Sequence, residues 1–297
     1  VQWIDKEHFA MVEELLRLSK CRRCGLVFIN PRPSEQLLTS FYNKPGYDCH
    51  SFHFEVEQSE SDARARFQII ERFIKRGLLL DFGPGAGHLL RAAKREGWDV
   101  SGIELGQPAR ASLQREGFEV YSDLAAAEGL RGRVDVVTMV HVLEHLADFS
   151  QTLAGIRDLL QPEGVFYVEV PNAASLRARL SESFLKPWFT ANTQRYLAFP
   201  IHLYYFSPRS LARFLKRHGF EIAELCTLGM GVDELWARPE QTADGHAQET
   251  ATKSPNTEKS IPAYAGLKKS IKSGMSYLKL GENLVAVCRK AHGSGNR

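Results

Sequence analysis

Apolar positions along the chain switch repeatedly between two periods. Leu78-Leu79-Leu80 and Val134-Asp135-Val136-Val137 are short, nearly unbroken apolar runs, the pattern of strands buried on both faces. Stretches of helical period lie between such runs. The pattern predicts strands at 78–82, 98–103, 118–121, 134–140 and 165–170, with helices near 87–96, 107–116, 124–129 and 148–160. Strands and helices that alternate in this way build a parallel sheet covered on both faces. Further on, Ser207-Pro208 opens a helix, with proline at its first position, and His218-Gly219 closes it. Strands at 220–228 and 283–288 follow.

Ahead of this core lies a lead-in, residues 1–61. Phe9, Val12, Leu15 and Leu16 suit a short helix, and 26–29 reads as a strand. Asn30-Pro31-Arg32-Pro33-Ser34 stops that strand, with Ser34 placed to cap a helix. The core spans 62–237 and begins with a helix at 62–76 that puts Phe67, Ile70, Phe73 and Ile74 on one face. Residues 171–206 interrupt it as an aromatic cap holding Phe184, Trp188, Phe189, Tyr196, Phe199, Tyr204, Tyr205 and Phe206. A loop covers 238–266, and its first part, 238–262, has almost no apolar content. A basic amphipathic helix at 267–278 then leads to the last strand, so 267–297 returns to the core. No internal repeat is visible.

Composition narrows the function classes. The chain has 297 residues, 43% hydrophobic and 25% charged, in the range of soluble globular proteins. A net charge of +3 gives no footprint for nucleic acid or a membrane surface. No apolar run approaches the roughly 18 residues of a spanning helix. Five scattered cysteines, an odd number, suit a reducing compartment and hence the cytoplasm. The start shows no signal-peptide pattern, although the first residue is Val1 and the natural N-terminus stays open.

The candidate chemistry begins at Gly83-Pro84-Gly85-Ala86-Gly87, which follows a strand ending in Asp81-Phe82. Glycines let the backbone approach a ligand where a side chain would collide. Glu104, at the tip of the next strand, is placed to accept both hydroxyls of a ribose. The spacing departs from the Gly-x-Gly-x-x-Gly of dinucleotide sites. An adenosine-containing cofactor is therefore expected. Asp123 follows the third strand, where it either accepts from an adenine amino group or caps the helix at 124–129. The fourth strand runs into His141-Val142-Leu143-Glu144-His145, and the fifth finishes at Pro171-Asn172.

In this order and spacing the residues resemble the class I S-adenosylmethionine-dependent methyltransferases. The resemblance is to the branch with a Cys-x-x-Cys-Gly…Asn-Pro-Arg-Pro lead-in, Glu-His after strand four and Pro-Asn after strand five. It covers residues 21–289. It implies an α/β, Rossmann-like sheet of seven strands in the order 3-2-1-4-5-7-6, with strand seven antiparallel and helices on both faces. S-adenosylmethionine would be the cofactor and S-adenosylhomocysteine the product. Asp81, Gly83 and Gly85 would line the methionine and ribose part, with Gly87 completing the turn. Glu104 would bind the ribose, and Asp123 with Leu124 would contact adenine. Pro84 stands where the family usually has a small residue or cysteine, and it removes no needed donor there.

The expected activity is methyl transfer to a small molecule, most simply at a hydroxyl of a sugar, glycan precursor or secondary metabolite. A hydroxyl acceptor needs a base or a metal to take its proton. His145 is the first candidate base, His202 the second, and Glu144 could orient either imidazole. Alternatively, His141, Glu144, His145 and His202 hold a divalent metal. Some methyltransferase relatives carry Glu-x-x-Glu-His as a metal site at this point, and His141 replaces the first Glu here. In a third reading, His141 and Glu144 shape the pocket or bind the cofactor's methionine end. Cys21-x-x-Cys24 looks like half a zinc knuckle, with Cys49, His50 and His53 as the nearby completing set; in the other reading the knuckle is degenerate and the cysteines are reduced. Cys226 and Cys288 read as core residues. Two rival functions remain at this point: a nicotinamide-dependent oxidoreductase, and a methyltransferase-like module that binds without catalysis.

Overall fold

A computed structural model describes residues 17–33, 56–176, 178, 202–229 and 279–291. The expected helix around Phe9–Leu16, the cap at Ser34, most of the aromatic cap (Phe184, Trp188, Phe189, Tyr196 and Phe199), the loop 238–262 and the helix 267–278 lie outside them. So do Cys49, His50 and His53.

The lead-in contributes two short strands, β1 (Arg17–Lys20) and β2 (Val27–Asn30), antiparallel across the cysteine turn. Helix α1 (Val56–Ile70) precedes β3 (Leu78–Phe82). Then come α2 (His88–Arg95), β4 (Asp99–Ile103), α3 (Gln107–Arg115) and β5 (Glu119–Tyr121). β6 (Val134–Val140), α4 (Phe149–Leu159) and β7 (Leu160–Pro171) complete the parallel part. The remainder is β8 (Tyr204–Tyr205), α5 (Pro208–Arg217), β9 (Phe220–Leu228) and β10 (Asn283–Lys290).

Seven strands form one sheet in the order β5-β4-β3-β6-β7-β10-β9, and β10 runs antiparallel to both of its neighbours. This is the expected order 3-2-1-4-5-7-6 with the seventh strand reversed. The side-chain alternation of each strand divides the core. Leu80, Val137, Phe166, Leu284 and Ala286 join α4 and α5 on one face. Leu79, Val136, Val165, Val285 and Val287 join Phe67 and Ile70 of α1 and Leu89 and Ala93 of α2 on the other. With each such side chain contributing about 1.5–3 kcal/mol on burial, both faces are strongly specified.

Three predicted elements differ. The helix expected at 62–76 is α1, Val56–Ile70, and Phe73 and Ile74 fall beyond its end. Residues 124–129 are not an α-helix but a turn followed by a 3-10 turn at Glu128–Leu130. A run of three alanines has helix propensity, yet the segment is too short for helical cooperativity to act. The fifth strand starts earlier than expected, at Leu160, because Leu160 already pairs with Val134. An irregularity between Val134 and Val136 then absorbs Pro162-Glu163-Gly164 before the pairing resumes at Val165.

A second, three-stranded antiparallel sheet, β1-β2-β8, clamps the chain just before α5. Ile29 donates its amide to Leu203 (3.0 Å), and Arg32 reaches the Tyr204 hydroxyl (2.9 Å) and the Ala147 carbonyl (3.2 Å). A parallel bridge between Asn172 and Phe206 ties this clamp to the end of β7. The lead-in thereby fixes residues 202–206 against the C-terminal ends of the parallel strands, where α/β sheets hold their ligands.

Candidate active site

The loop after β3 starts with Gly83 at φ +80, a conformation costly for any residue with a Cβ. A Cβ there would also stand 2.5 Å from Val142 Cγ2, so glycine lets the β3 loop and the loop after β6 lie side by side. Gly85, at φ +52, is different: a Cβ there would meet nothing within 4 Å. Its bare face opens on the crevice. Gly87 is the N-cap of α2.

Glu104 sits half-buried at the end of β4. One carboxylate oxygen accepts from the Gly85 amide (3.0 Å) and the other from the Gly106 amide (2.7 Å). The side chain is thus locked across the glycine loop before any ligand arrives. Each oxygen keeps acceptor capacity for further donors.

Asp81 is buried at the end of β3 and accepts from the Thr138 hydroxyl at 2.7 Å. Burial pushes its carboxyl up to about 7, against the lowering effects of the Thr138 hydroxyl and the Arg66 charge, with Glu104 adding to the rise.

The loop after β6 makes the opposite pole. His141 adopts φ +55, and its amide donates to the Glu169 carbonyl (2.9 Å). Its ring stands between two buried carboxylates, with Nδ1 3.5 Å from Glu144 and Nε2 3.6 Å from Glu169. Desolvation disfavours the imidazolium, but the two carboxylates outweigh it and raise the group to about 9. His141 is therefore protonated at neutral pH and is not a base. Glu144 is fully buried, and its pKa is lowered: desolvation opposes its charge, but the contact with the protonated His141 prevails.

His145 and His202 meet edge to face, with ring centroids 4.6 Å apart. The Leu203 amide donates to the Glu144 carbonyl (2.8 Å), which brings the distant His202 to this pole. Burial, with the charge of His145 next, lowers His202 to about 3, so it stays neutral and is a weak proton acceptor. Among the described residues, Glu144, His145 and His202 also form a grouping that fits a metal ion, with one ligand atom each and all three within 4.8 Å of one another.

The remaining candidates fall as follows. Asp123 is exposed, and its carboxylate accepts from the Ala126 amide (2.8 Å) and the Ser122 hydroxyl (2.8 Å), which hold its pKa down. It stabilises the turn that replaces the expected helix. Leu124 lies against α4, where a Cβ on Gly155 would stand 2.7 Å from its Cδ1. Cys21 and Cys24 flank a turn closed by the bond from the Gly25 amide to the Cys21 carbonyl (2.9 Å). The Cys24 backbone amide and thiol, with the Arg23 amide, lower the Cys21 thiol. Cys288 is buried in β10 and Cys226 is partly buried in β9, and burial pushes both thiols up to about 12.

Sequence reasoning missed a buried charge network. Arg66 of α1 grips Glu169 of β7 with two parallel bonds, Nε to Oε2 (2.8 Å) and Nη2 to Oε1 (2.9 Å). The Tyr167 hydroxyl (2.9 Å) and Asn283 Nδ2 (3.1 Å) also donate to Glu169. The available signal was Val168-Glu169-Val170, a carboxylate inside a strand buried on both faces, which demands a partner. Asn172, also buried, donates to the Gly281 (2.7 Å) and Lys279 (3.1 Å) carbonyls and so pins the approach to β10. Leu105, beside Glu104, is an exposed large apolar residue at the crevice.

Comparison with known proteins identifies the family and the fold. Residues 56–225, more than half of the chain, match the family model described as a methyltransferase domain. The ubiquinone biosynthesis O-methyltransferase of Aromatoleum aromaticum is 32% identical over 168 residues, 53% of this chain and 68% of that protein. The corresponding enzyme of Saccharophagus degradans is 29% identical, over 50% of this chain and 65% of its own length. The C-methyltransferase NovU of Streptomyces niveus is 26% identical over 70% of this chain but only 47% of NovU. The chain thus spans about two thirds of the quinone enzymes and about half of NovU. Among solved structures, the Burkholderia thailandensis 1,6-didemethyltoxoflavin-N1-methyltransferase, bound to S-adenosylhomocysteine, shares the fold with a TM-score of 0.53 at 16% identity, over 92% of this chain and all of that one. An S-adenosylmethionine-dependent methyltransferase from Archaeoglobus fulgidus gives 0.52 at 17% identity, over 86% of this chain and all of that one. No described helix is long and apolar enough to cross a membrane. The chain belongs to the methyltransferase domain family and is an enzyme that uses S-adenosylmethionine.

Proposed function

We propose that the enzyme moves the methyl group of S-adenosylmethionine onto a hydroxyl of a small molecule, such as a sugar, a glycan precursor or a secondary metabolite. The observation that carries this reading is the Glu144–His145–His202 cluster at the end of β6, next to the glycine loop of β3. A hydroxyl is a weak nucleophile until its proton is taken, and a group for that task stands beside the cofactor crevice. The sulfonium carries its own leaving group, so the remaining work is alignment and exclusion of water.

In this reading Glu104 takes the ribose hydroxyls, and Gly83 and Gly85 let the cofactor approach the backbone. Asp81 serves the methionine end, which His141 borders. Leu105 offers adenine an apolar face, next to Asp123 and Leu124. His145 takes the acceptor proton, oriented by Glu144 and with His202 against its ring.

A second reading has one specific support: the NovU match extends over more of this chain than the quinone enzymes do. The same pole could take a proton from an activated carbon. Product analysis separates the two. The enzyme is offered labelled cofactor with sugar-type and phenolic acceptors, and the product is examined by NMR. An O-methyl signal is the expected outcome. A C-methyl signal selects the second reading, and label found only in RNA or protein overturns both. His145→Ala is expected to abolish turnover while cofactor affinity is retained, and turnover that survives removes His145 as the base.

Asp81 predicts a pH dependence. Its pKa is about 7 in the folded chain against an ordinary 3.8. Between these values the folded chain holds the extra proton, so this group's contribution to stability falls as pH rises through the window and is constant above it. A bound ammonium group at the cofactor's methionine end favours the carboxylate. Affinity for S-adenosylhomocysteine is therefore expected to tighten as pH rises toward 7 and then level off, with a proton released on binding below 7. Calorimetry in two buffers of different ionisation enthalpy measures that proton directly, and a buffer-independent heat at pH 6 would refute the assignment.

A further inference from the structure

Three tyrosines are buried among the described residues, and the hydroxyls of two are accounted for. Tyr167 donates to Glu169 (2.9 Å), and Tyr204 accepts from Arg32 (2.9 Å). Tyr205 is the exception. It is 6% exposed, and its hydroxyl meets no hydrogen-bond partner among the described residues. Leaving a buried hydroxyl unpaired is costly. The fold alone therefore gives no reason for a phenol where a phenylalanine ring would pack as well.

The position of Tyr205 does give one. It pairs with Val27 of β2, and on either side of it the chain is tied to a loop that borders the crevice. Before it, the Leu203 amide donates to the Glu144 carbonyl (2.8 Å); after it, the Phe206 carbonyl accepts from the Ala173 amide (2.8 Å). The Tyr205 ring stands edge to face with His202, centroids 6.3 Å apart, and His202 stands in the same way with His145 at 4.6 Å. His202 thus neighbours both the unpaired phenol and the proposed base. Burial pushes the Tyr205 pKa up, so the hydroxyl keeps its proton at neutral pH and is ready to donate. Strand pairing and the surrounding core already fix the ring, so a ligand does not have to order it.

We propose that Tyr205 binds the acceptor, its hydroxyl donating to a second oxygen of that molecule, and that the enzyme selects acceptors with two neighbouring oxygens, vicinal diols of the sugar or catechol type, over those with one. One oxygen lies beside His145 and the other answers Tyr205. This deepens the proposed transfer and rests on it only for the place of the acceptor beside His145. The selectivity follows from the cost of an unused donor. An analogue with a single oxygen fills the same space but leaves the phenol stranded in the complex, and a buried donor without a partner penalises that analogue. In the free enzyme the same hydroxyl weighs on stability, the usual conflict between folding and function at a binding site.

Tyr205→Phe and Tyr204→Phe, each in the full chain, test this together. Without ligand, the denaturant midpoint of Tyr205→Phe should equal or exceed that of the parent, because removing an unpaired buried hydroxyl strands nothing. Tyr204→Phe takes an acceptor away from Arg32 and should lower the midpoint. In the binding arm, the complex with S-adenosylhomocysteine is titrated with catechol and phenol, and with vicinal cyclohexanediol and cyclohexanol. In at least one pair the parent should bind the member with two oxygens about tenfold tighter or more, the size of one good hydrogen bond. Tyr205→Phe should erase that preference, leaving the affinities for S-adenosylhomocysteine and for the member with one oxygen unchanged. Tyr204→Phe should keep it. The proposal is overturned by a lower midpoint for Tyr205→Phe, which would give the hydroxyl to the fold or to an internal water. It is also overturned by absence of the preference in both pairs, by a preference that survives Tyr205→Phe, or by one lost equally with Tyr204→Phe. No methyl group moves in these titrations. A product found methylated at carbon therefore leaves this result standing, and the reverse holds too.

Discussion

Glu169→Ala is expected to lower the free energy of unfolding by about 3–5 kcal/mol, the usual cost of orphaning one member of a buried ion pair. The estimate rests on the surroundings and not on the pair alone. Glu169 is fully buried and accepts from Arg66 twice, from the Tyr167 hydroxyl and from Asn283, with His141 Nε2 at 3.6 Å. Removing the carboxylate leaves a guanidinium that is only 14% exposed and without its partner. Denaturant titration at pH 7 measures the loss. Replacing both Arg66 and Glu169 by leucine should recover part of it, because no charge is then stranded. A loss below 1 kcal/mol for the single variant would mean that the pair behaves as an exposed one. The pH dependence has a definite sign. Desolvation would raise the Glu169 pKa, but Arg66 and His141 hold it below the ordinary 4.5, so its contribution is complete above that value and is lost only as strong acid protonates it.

Glu104→Ala is expected to weaken S-adenosylhomocysteine by roughly 100-fold or more while the chain stays folded. Hydrogen bonds to a charged acceptor contribute about 1.5–3 kcal/mol each, and a ribose offers two hydroxyls, so about 3 kcal/mol is a lower figure. The carboxylate is also pre-positioned by the Gly85 and Gly106 amides, so binding does not have to order it. Glu104→Gln is the sharper probe. Its amide nitrogen cannot accept from a backbone amide, so one of the two anchoring bonds is lost and the side chain must turn. An affinity between parent and alanine variant is expected by calorimetry. Unchanged affinity in both variants would place the ribose elsewhere.

The parts of this architecture that were legible share one property: a local pattern long enough to specify itself. Leu78-Leu79-Leu80 and Val134 to Val140 became β3 and β6 with the expected bounds, because a strand buried on both faces needs a continuous apolar run. The start of α5 was visible from Ser207-Pro208 alone, and the structure adds a capping box between Ser207 and Ser210. The glycine loop and Glu104 could be placed together because strand–turn–helix–strand fixes their separation. What was hidden depends on distant partners. Arg66 and Glu169 are 103 positions apart, and each looks like an ordinary charge by itself. β1 has the polar sequence Arg17-Leu18-Ser19-Lys20 and is a strand only because β2 lies beside it. Asp123 illustrates the reverse: a local capping role was among its readings, but alanine propensity suggested a helix where chain geometry makes a turn.

The antiparallel strand β10 lies between β7 and β9, with Val285 opposite both Glu169 and Cys226. On the ribosome this order has a consequence. β7 and β9 are made first, and each must wait with an unpaired apolar edge until residues 283–290 emerge. Such edges invite pairing with other chains. The nascent enzyme is therefore most exposed to aggregation late in synthesis, after most of its sheet already exists. A chain released before Asn283 would keep both edges open, and Glu169 would lack the Asn283 donor that completes its shell.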